Sequence, residues 1–147
     1  MINLRREYTL DSSIEKVWLV LTDVHRIASC IPDVEGIILY DHGFKAIVKP
    51  RLSFIKGKFR LESSISEIKE NEHLIIIHTK GSSIGSSFEI DMRIRVERLE
   101  FSTVLTVEAD IETHGLFKSM PTTLIYKVID DVEASIMKCI DRLIHDD

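Results

Sequence analysis

The stretch Pro121 to Ile144, PTTLIYKVIDDVEASIMKCIDRLI, decides the reading of the chain. Apolar residues recur there at Leu124, Ile125, Val128, Ile129, Val132, Ile136, Cys139, Ile140, Leu143 and Ile144. This is helical spacing with one wide apolar face, and it predicts a single long amphipathic helix. Ser119 is placed to cap it. Pro121 falls in the first turn, where a missing N–H costs little, and Lys138 and Arg142 suit the negative end of the helix dipole. A helix with that much apolar surface needs a sheet to lie on.

The sheet precedes it. Ile2, Leu4, Tyr8 and Leu10 alternate with polar residues as a first strand. Ser12-Ser13-Ile14-Glu15 has the form of a capping box, with Ser12 accepting from the Glu15 amide. A short helix follows, with Ile14, Val17, Trp18 and Leu21 on one face. Asp23 caps a second short helix, which Pro32 ends. From Val34 the period changes to two. Val34 to Tyr40 reads as a strand, Asp41-His42-Gly43 as a hairpin turn, and Phe44, Ala46, Val48 and Leu52 as one face of the next strand. Phe59, Leu61, Ser63 and Ile65 point inward on another, with Gly57 marking a bend. His73 to Lys80 is a strand apolar on both faces, and Gly81 to Ser87 a small, flexible hairpin. The last two strands alternate cleanly. Phe88, Ile90, Met92, Ile94 and Val96 face in on one, and Phe101, Thr103, Leu105, Val107, Ala109 and Ile111 on the other. One wet face and one buried face mark an antiparallel sheet with a single cover layer. The expectation is one α+β domain over residues 1–147: a curved sheet of about seven strands around the C-terminal helix.

The totals set bounds. The chain has 147 residues, 44% hydrophobic and 29% charged, with a formal net charge of −5. That is ordinary globular composition, and the acidic balance argues against nucleic-acid binding. No apolar run reaches the ~18 residues of a membrane span. The opening Met-Ile-Asn-Leu-Arg-Arg-Glu has no signal-peptide core, so the cytoplasm is the expected compartment. Cys30 and Cys139 fit no metal or redox spacing and are expected to be small buried apolar residues rather than a disulfide.

Three pieces of the chain carry a resemblance. The first is Val17-Trp18, Leu21, Asp23 and Arg26, leading to Cys30-Ile31-Pro32-Asp33-Val34-Glu35. The second is Phe54-Ile55-Lys56-Gly57-Lys58-Phe59. The third is Gly81 to Phe88. Together with the element order they resemble the carbon monoxide dehydrogenase CoxG family, within the START-like, helix-grip superfamily (the birch-pollen-allergen fold). The chain departs from the family at Asp33, which stands for a glycine, at Ser53-Phe54, which replaces Gly-Pro, and in the glycine-poor stretch after Gly81. The resemblance implies an elongated apolar cavity between sheet and long helix. It also implies a non-catalytic accessory role to a molybdenum-containing dehydrogenase, with a lipid- or quinone-like ligand.

The residues themselves offer little chemistry. None of the six histidines stands in a metal-binding spacing, so neither a metal nor a cofactor is expected, and no catalytic residue is assigned. Gly81-Ser82-Ser83-Ile84-Gly85 lacks the Gly-Lys-Ser/Thr ending of a phosphate cradle. Thr103, Tyr126 and His78 are the polar candidates for an otherwise apolar interior, which favours holding an apolar molecule over transforming one. An empty cavity of ~300 Å³, at ~24 cal/mol per Å³, would cost roughly 7 kcal/mol, as much as a domain's net stability. Such a cavity must hold a ligand or water, or be filled by large side chains. The expected lining is Phe59, Leu61, Ile76, Phe88, Ile90, Met92, Ile94, Leu105 and Val107 from the sheet, with Leu124 and Val128 from the helix roof. Leu116, Phe117 and Met120 stand at the mouth, near Ile27, Ile31 and Val34. Lys45, Lys49, Arg51, Lys56, Lys58 and Arg60 form a basic stripe that fits an anionic membrane surface or an acidic partner. The competing readings are a polyketide cyclase-like enzyme and a closed-core protein-interaction adaptor.

Overall fold

A computed structural model describes residues 1–51 and 57–146 of the chain. The order is β1 (Ile2–Leu10), α1 (Ile14–Leu21), α2 (Val24–Ala28), β2 (Val34–Tyr40), β3 (Gly43–Val48), β4 (Phe59–Lys69), β5 (Leu74–Ser83), β6 (Ser86–Leu99), β7 (Ser102–Gly115) and α3 (Thr122–His145). Single 3-10 turns occupy Glu70–Glu72 and Leu116–Ser119. The strands form one antiparallel sheet in the order β1-β7-β6-β5-β4-β3-β2. Neighbouring strands are consecutive in the chain except for β1, which closes on β7. The expected α+β helix-grip architecture is the observed one.

Local sequence explains the elements. Ser13, not Ser12, caps α1, its hydroxyl accepting from the Lys16 amide. Asp23 caps α2 through the Arg26 amide, one of the orphan donors of a helix start. Gly81–Ser87 is not a loose hairpin. Both strands run through it, and only Ile84 and Gly85 turn the chain, with Gly85 at positive φ. Phe101 is 93% exposed rather than inward. It lies in the two-residue turn after Leu99, where Glu100 takes φ 55°, so strand parity does not extend to it. Leu52 and Lys56 lie outside the described residues.

One end of the molecule is densely packed. Val17, Val20, Ile75, Val96, Leu105 and Ile144 are fully buried, where α1 and the second half of α3 meet the sheet. A second cluster places Ala28 of α2 on Phe44, Ala46 and Val48. Buried Thr103 donates its hydroxyl to the Ser12 carbonyl across 2.8 Å, which removes the cost of burying it. Arg26 donates to the Leu143 carbonyl at 3.2 Å, a cation at the negative end of a helix. Cys30 and Cys139 form a disulfide, which corrects the expectation of two free, buried thiols. The segment after α2 and α3 cross there with Cα atoms 5.4 Å apart, a proximity that a sequence separation of 109 conceals. The bridge ties the α2 corner to α3.

Candidate ligand groove and its polar seam

Register places the inward side chains in rows across the sheet. Leu4, Ala109, Met92, Ile77 and Ile65 make one row; Ile2, Ile111, Ile90, Thr79 and Ser63 the next; Thr113, Phe88, Gly81 and Leu61 a third. Side chains opposite one another in a ladder share a face. Mid-sheet positions covered by a helix should be fully buried. Met92, Ile90, Thr79 and Phe88 are instead only half-buried, whereas Ile77, Ile65 and Leu61 pack against the two core clusters. The concave face thus has a packed end, under α1 and the second half of α3, and an uncovered middle under the first half. An aromatic wall bounds that middle. Phe117 stacks on Phe59 with ring centroids 5.4 Å apart and lies 6.2 Å from Phe88. Gly81 makes room for the Phe88 ring, since a Cβ there would fall 2.2 Å from it.

Helical arithmetic along α3 identifies its sheet-facing ridge. Ile140 and Ile144 are buried in the core and Ile136 packs against them. At about 100° per residue, Ile129 and Glu133 continue that stripe, with Ile125 beside it. Leu124 stands roughly 160° and Val128 roughly 120° away from Ile140. Both are half-buried, Val128 on the flank of the helix and Leu124 nearly opposite the ridge.

Several expected lining residues change place. Ile76 sits opposite Arg93 in register, and Arg93 pairs with Glu108 and Asp110 on the outer face. Ile76 is therefore outside the groove, because Ile75 and Ile77 are the inward residues of that doubly apolar run. Leu105 belongs to the packed core. Leu116 is 68% exposed, since the 3-10 turn that carries Phe117 inward carries it outward. His78 pairs with Asp91 at 2.5 Å on the outer face. Ile94 and Val107 are half-buried beside Ile75, at the border of groove and core. Phe59 is buried beneath Phe117, and Met120 is half-buried at the groove's end. Ile31 and Val34 pack on the α2 cluster and Ile27 on the main core. The basic stripe is interrupted by carboxylates: Arg51 pairs with Asp33 at 3.1 Å and Lys58 with Glu35 at 2.8 Å, while Lys45 lies opposite Glu62. The Lys58 contact holds the Glu35 carboxyl below its ordinary range.

The polar groups that do face inward are others. Arg6 lies between Leu4 and Tyr8 on the inner side of β1. Its guanidinium reaches Asp130 at 3.4 Å and Glu133 at 3.5 Å on α3. Tyr8 donates its hydroxyl to Glu133 at 2.5 Å. Partial burial, and then this bond to an ionised carboxylate, push the Tyr8 phenol far above its usual range. Strand parity already pairs Arg6 with Leu4 and Tyr8, but its charge disguises it as an outward residue. On the groove floor the Ser63 and Thr79 hydroxyls bond each other at 3.0 Å. A short polar seam of Arg6 and Tyr8 with Asp130 and Glu133 thus links β1 to α3. No group of metal-ligating side chains occurs among the described residues.

The sequence model of the carbon monoxide dehydrogenase CoxG family matches residues 7–145. No curated protein matches the chain by sequence. Among solved structures, a conserved protein from Geobacillus kaustophilus superposes with TM-score 0.87 at 19% identity, over 97% of this chain and 95% of its own. A START superfamily protein from Mycobacterium smegmatis gives 0.73 at 14% identity, covering 98% and 97%. Ara h 8.0201 gives 0.72 at 12% identity, covering 99% of each chain. At these identities the likeness establishes the START-like, helix-grip fold alone.

Proposed function

The chain belongs to the carbon monoxide dehydrogenase CoxG family, and on that premise we propose that it binds a lipid- or quinone-like molecule in the groove beneath α3. It does so as an accessory protein to a molybdenum-containing dehydrogenase. Hydrophobic ligand binding in general accords with the family and the fold. The observation that carries the reading is the half-burial of Met92, Ile90 and Phe88 in the middle of a seven-stranded sheet. Apolar surface left uncovered there costs about 25 cal/mol for each Å² kept in contact with water. An apolar guest recovers that cost, and a sheet with a covalently anchored helix holds the groove ready for it. The family's name supports the dehydrogenase partner. Among the described residues no helix is long and apolar enough to cross a membrane, so a membrane contact through these elements would be made by the protein's surface.

Native mass spectrometry of gently purified protein tests the reading. A co-purified lipophilic mass, or stoichiometric uptake of an apolar fluorescent probe, is the expected result. A bare mass with no probe uptake would instead support the closed-core adaptor. Pull-down with the dehydrogenase, performed with loaded and emptied protein, tests the partner.

A further inference from the structure

β1 and β2 are the two edges of the sheet, and the chain treats them differently. β1 carries Arg5, Arg6 and Glu7, charges of the kind that keep an edge strand from pairing with another chain. β2 carries Gly36-Ile37-Ile38-Leu39-Tyr40, with no proline and no cation. Ile37, Ile38 and Leu39 are 40%, 67% and 48% exposed. The only charge on β2, Glu35, is engaged by Lys58 at 2.8 Å. Ala28 of α2 covers Phe44 and Ala46 on β3. Ile37 and Leu39, opposite them in register on the same face, stay open. Ile38 points the other way, beside Lys45.

The next ladder fixes where the backbone of this edge points. The Ile65 amide donates to the His42 carbonyl across 2.8 Å. Residues of an antiparallel strand bond their two neighbours alternately. Phe44 and Ala46 therefore also bond β4, while Gly43, Lys45 and Ile47 bond β2, where their partners are Tyr40, Ile38 and Gly36. The N–H and C=O of Ile37 and Leu39 are left pointing away from the sheet, without a partner among the described residues.

We infer that this edge pairs antiparallel with β2 of a second copy of the chain, about a two-fold axis through Ile38. That register sets Ile37 of one copy opposite Leu39 of the other, and the axis repeats the pair. Outward-pointing residues opposite one another exchange both N–H···O bonds, so all the free donors and acceptors of Ile37 and Leu39 are used. The Ile38 side chains meet across the axis in the closer, non-bonded kind of pair, with Cα atoms about 4.5 Å apart. Ile37 and Leu39 meet on the other face, and Tyr40 falls opposite Gly36, which has no side chain to obstruct it. At the rim Glu35 faces Asp41, with Lys58 beside it. An axis through Ile37 would set Leu39 against Glu35, where the strand is bulged. An axis through Leu39 would set Ile37 against the turn at Asp41. A two-fold contact closes on itself, so the product is a pair rather than a fibre. One short strand buries less than the roughly 1,600 Å² of a standard interface, and the pair forms at micromolar rather than nanomolar concentration.

Sedimentation equilibrium of the unmodified protein from about 1 μM to 1 mM should show the mass rising from one chain toward two, with nothing larger. Ile38→Glu puts two carboxylates on the axis, yet within one copy the new carboxylate lies beside Lys45. Leu39→Pro removes an N–H that only a second copy would use. Each should weaken association at least about tenfold, with circular dichroism unchanged. Ile84→Glu, at an exposed apolar residue of the β5–β6 turn, should leave association as it was. Amide exchange needs no variant: raising the concentration should slow exchange at Ile37 and Leu39 and leave Ile38, already bonded to β3, unchanged. A single-chain mass at every concentration, growth beyond two chains, or a pair in which the Ile37 and Leu39 amides gain no protection overturns this inference. None of these results touches the groove.

Discussion

Tyr8 and Glu133, 125 residues apart, share a hydrogen bond of 2.5 Å that joins the edge strand to the long helix. Arg6 grips the same carboxylate at 3.5 Å. The bond lies where α3 leaves the packed core and begins to span the groove, so it fixes how far the helix stands from the sheet. Tyr8→Phe leaves the ring packing in place and deprives the carboxylate of one donor. It should lower stability by about 1–2 kcal/mol in chemical denaturation, with an unchanged m-value. Arg6→Gln should cost less, since its ion pairs are partly solvated. Equal stability of Tyr8→Phe and the unmodified protein would remove the hydrogen bond from this account.

His145 closes the far end of the same seam. Its Nδ1 lies 2.8 Å from the Asp141 carbonyl and its Nε2 lies 3.0 Å from the Asp11 carbonyl. Carbonyls only accept, so both nitrogens can bond at once only as the imidazolium. The Asp141 carbonyl first, and the Asp11 carbonyl second, raise the pKa above its ordinary value. A raised folded-state pKa contributes stability that is complete below the unfolded value of about 6.5 and disappears as pH climbs through the folded value. The stability gap between the unmodified protein and His145→Gln should therefore be larger at acidic than at mildly alkaline pH. Denaturation curves on both sides of neutrality read this directly, and a gap independent of pH would contradict it.

The Cys30–Cys139 bridge joins residues separated by 109 positions. Removing a cross-link that long frees much entropy in the unfolded chain, so reduction or Cys139→Ser should cost about 2–4 kcal/mol. Alkylation without reductant should label neither cysteine. Labelling of both in freshly prepared, unreduced protein would refute the bridge.

Much of this architecture was legible in the chain itself. The apolar period of Pro121–Ile144, the strand Val34–Tyr40 and the alternation of Phe88–Val96 are dictated by side-chain spacing, and spacing is local. What escaped depended on distance or on exceptions to parity. The disulfide requires the α2 corner and α3 to cross. Ile76 could be assigned to either face of Leu74-Ile75-Ile76-Ile77 until its partners in register were known. The β4–β5 ladder shifts between Ile65 and Glu67, which no composition signal marks. Arg6 obeyed the alternation, but a charge on an inner face is explained only by the carboxylates of α3. For the site, the spacing placed Ile90, Met92 and Phe88 on the inner face. Helical arithmetic from the buried Ile140 sets Ile129 and Ile125 on the same stripe, beside the expected roof residues Leu124 and Val128.

The groove is the centre of the account, and filling it from both sides tests it most directly. Met92→Trp on the floor and Ile129→Trp on the ridge above should each abolish uptake of an apolar fluorescent probe while thermal stability changes little. Leu19→Trp, on the exposed face of α1, should leave uptake as it was. If the unmodified protein takes up no probe, or if both filled variants bind it as well as the control, the space beneath α3 is not where this protein holds its ligand.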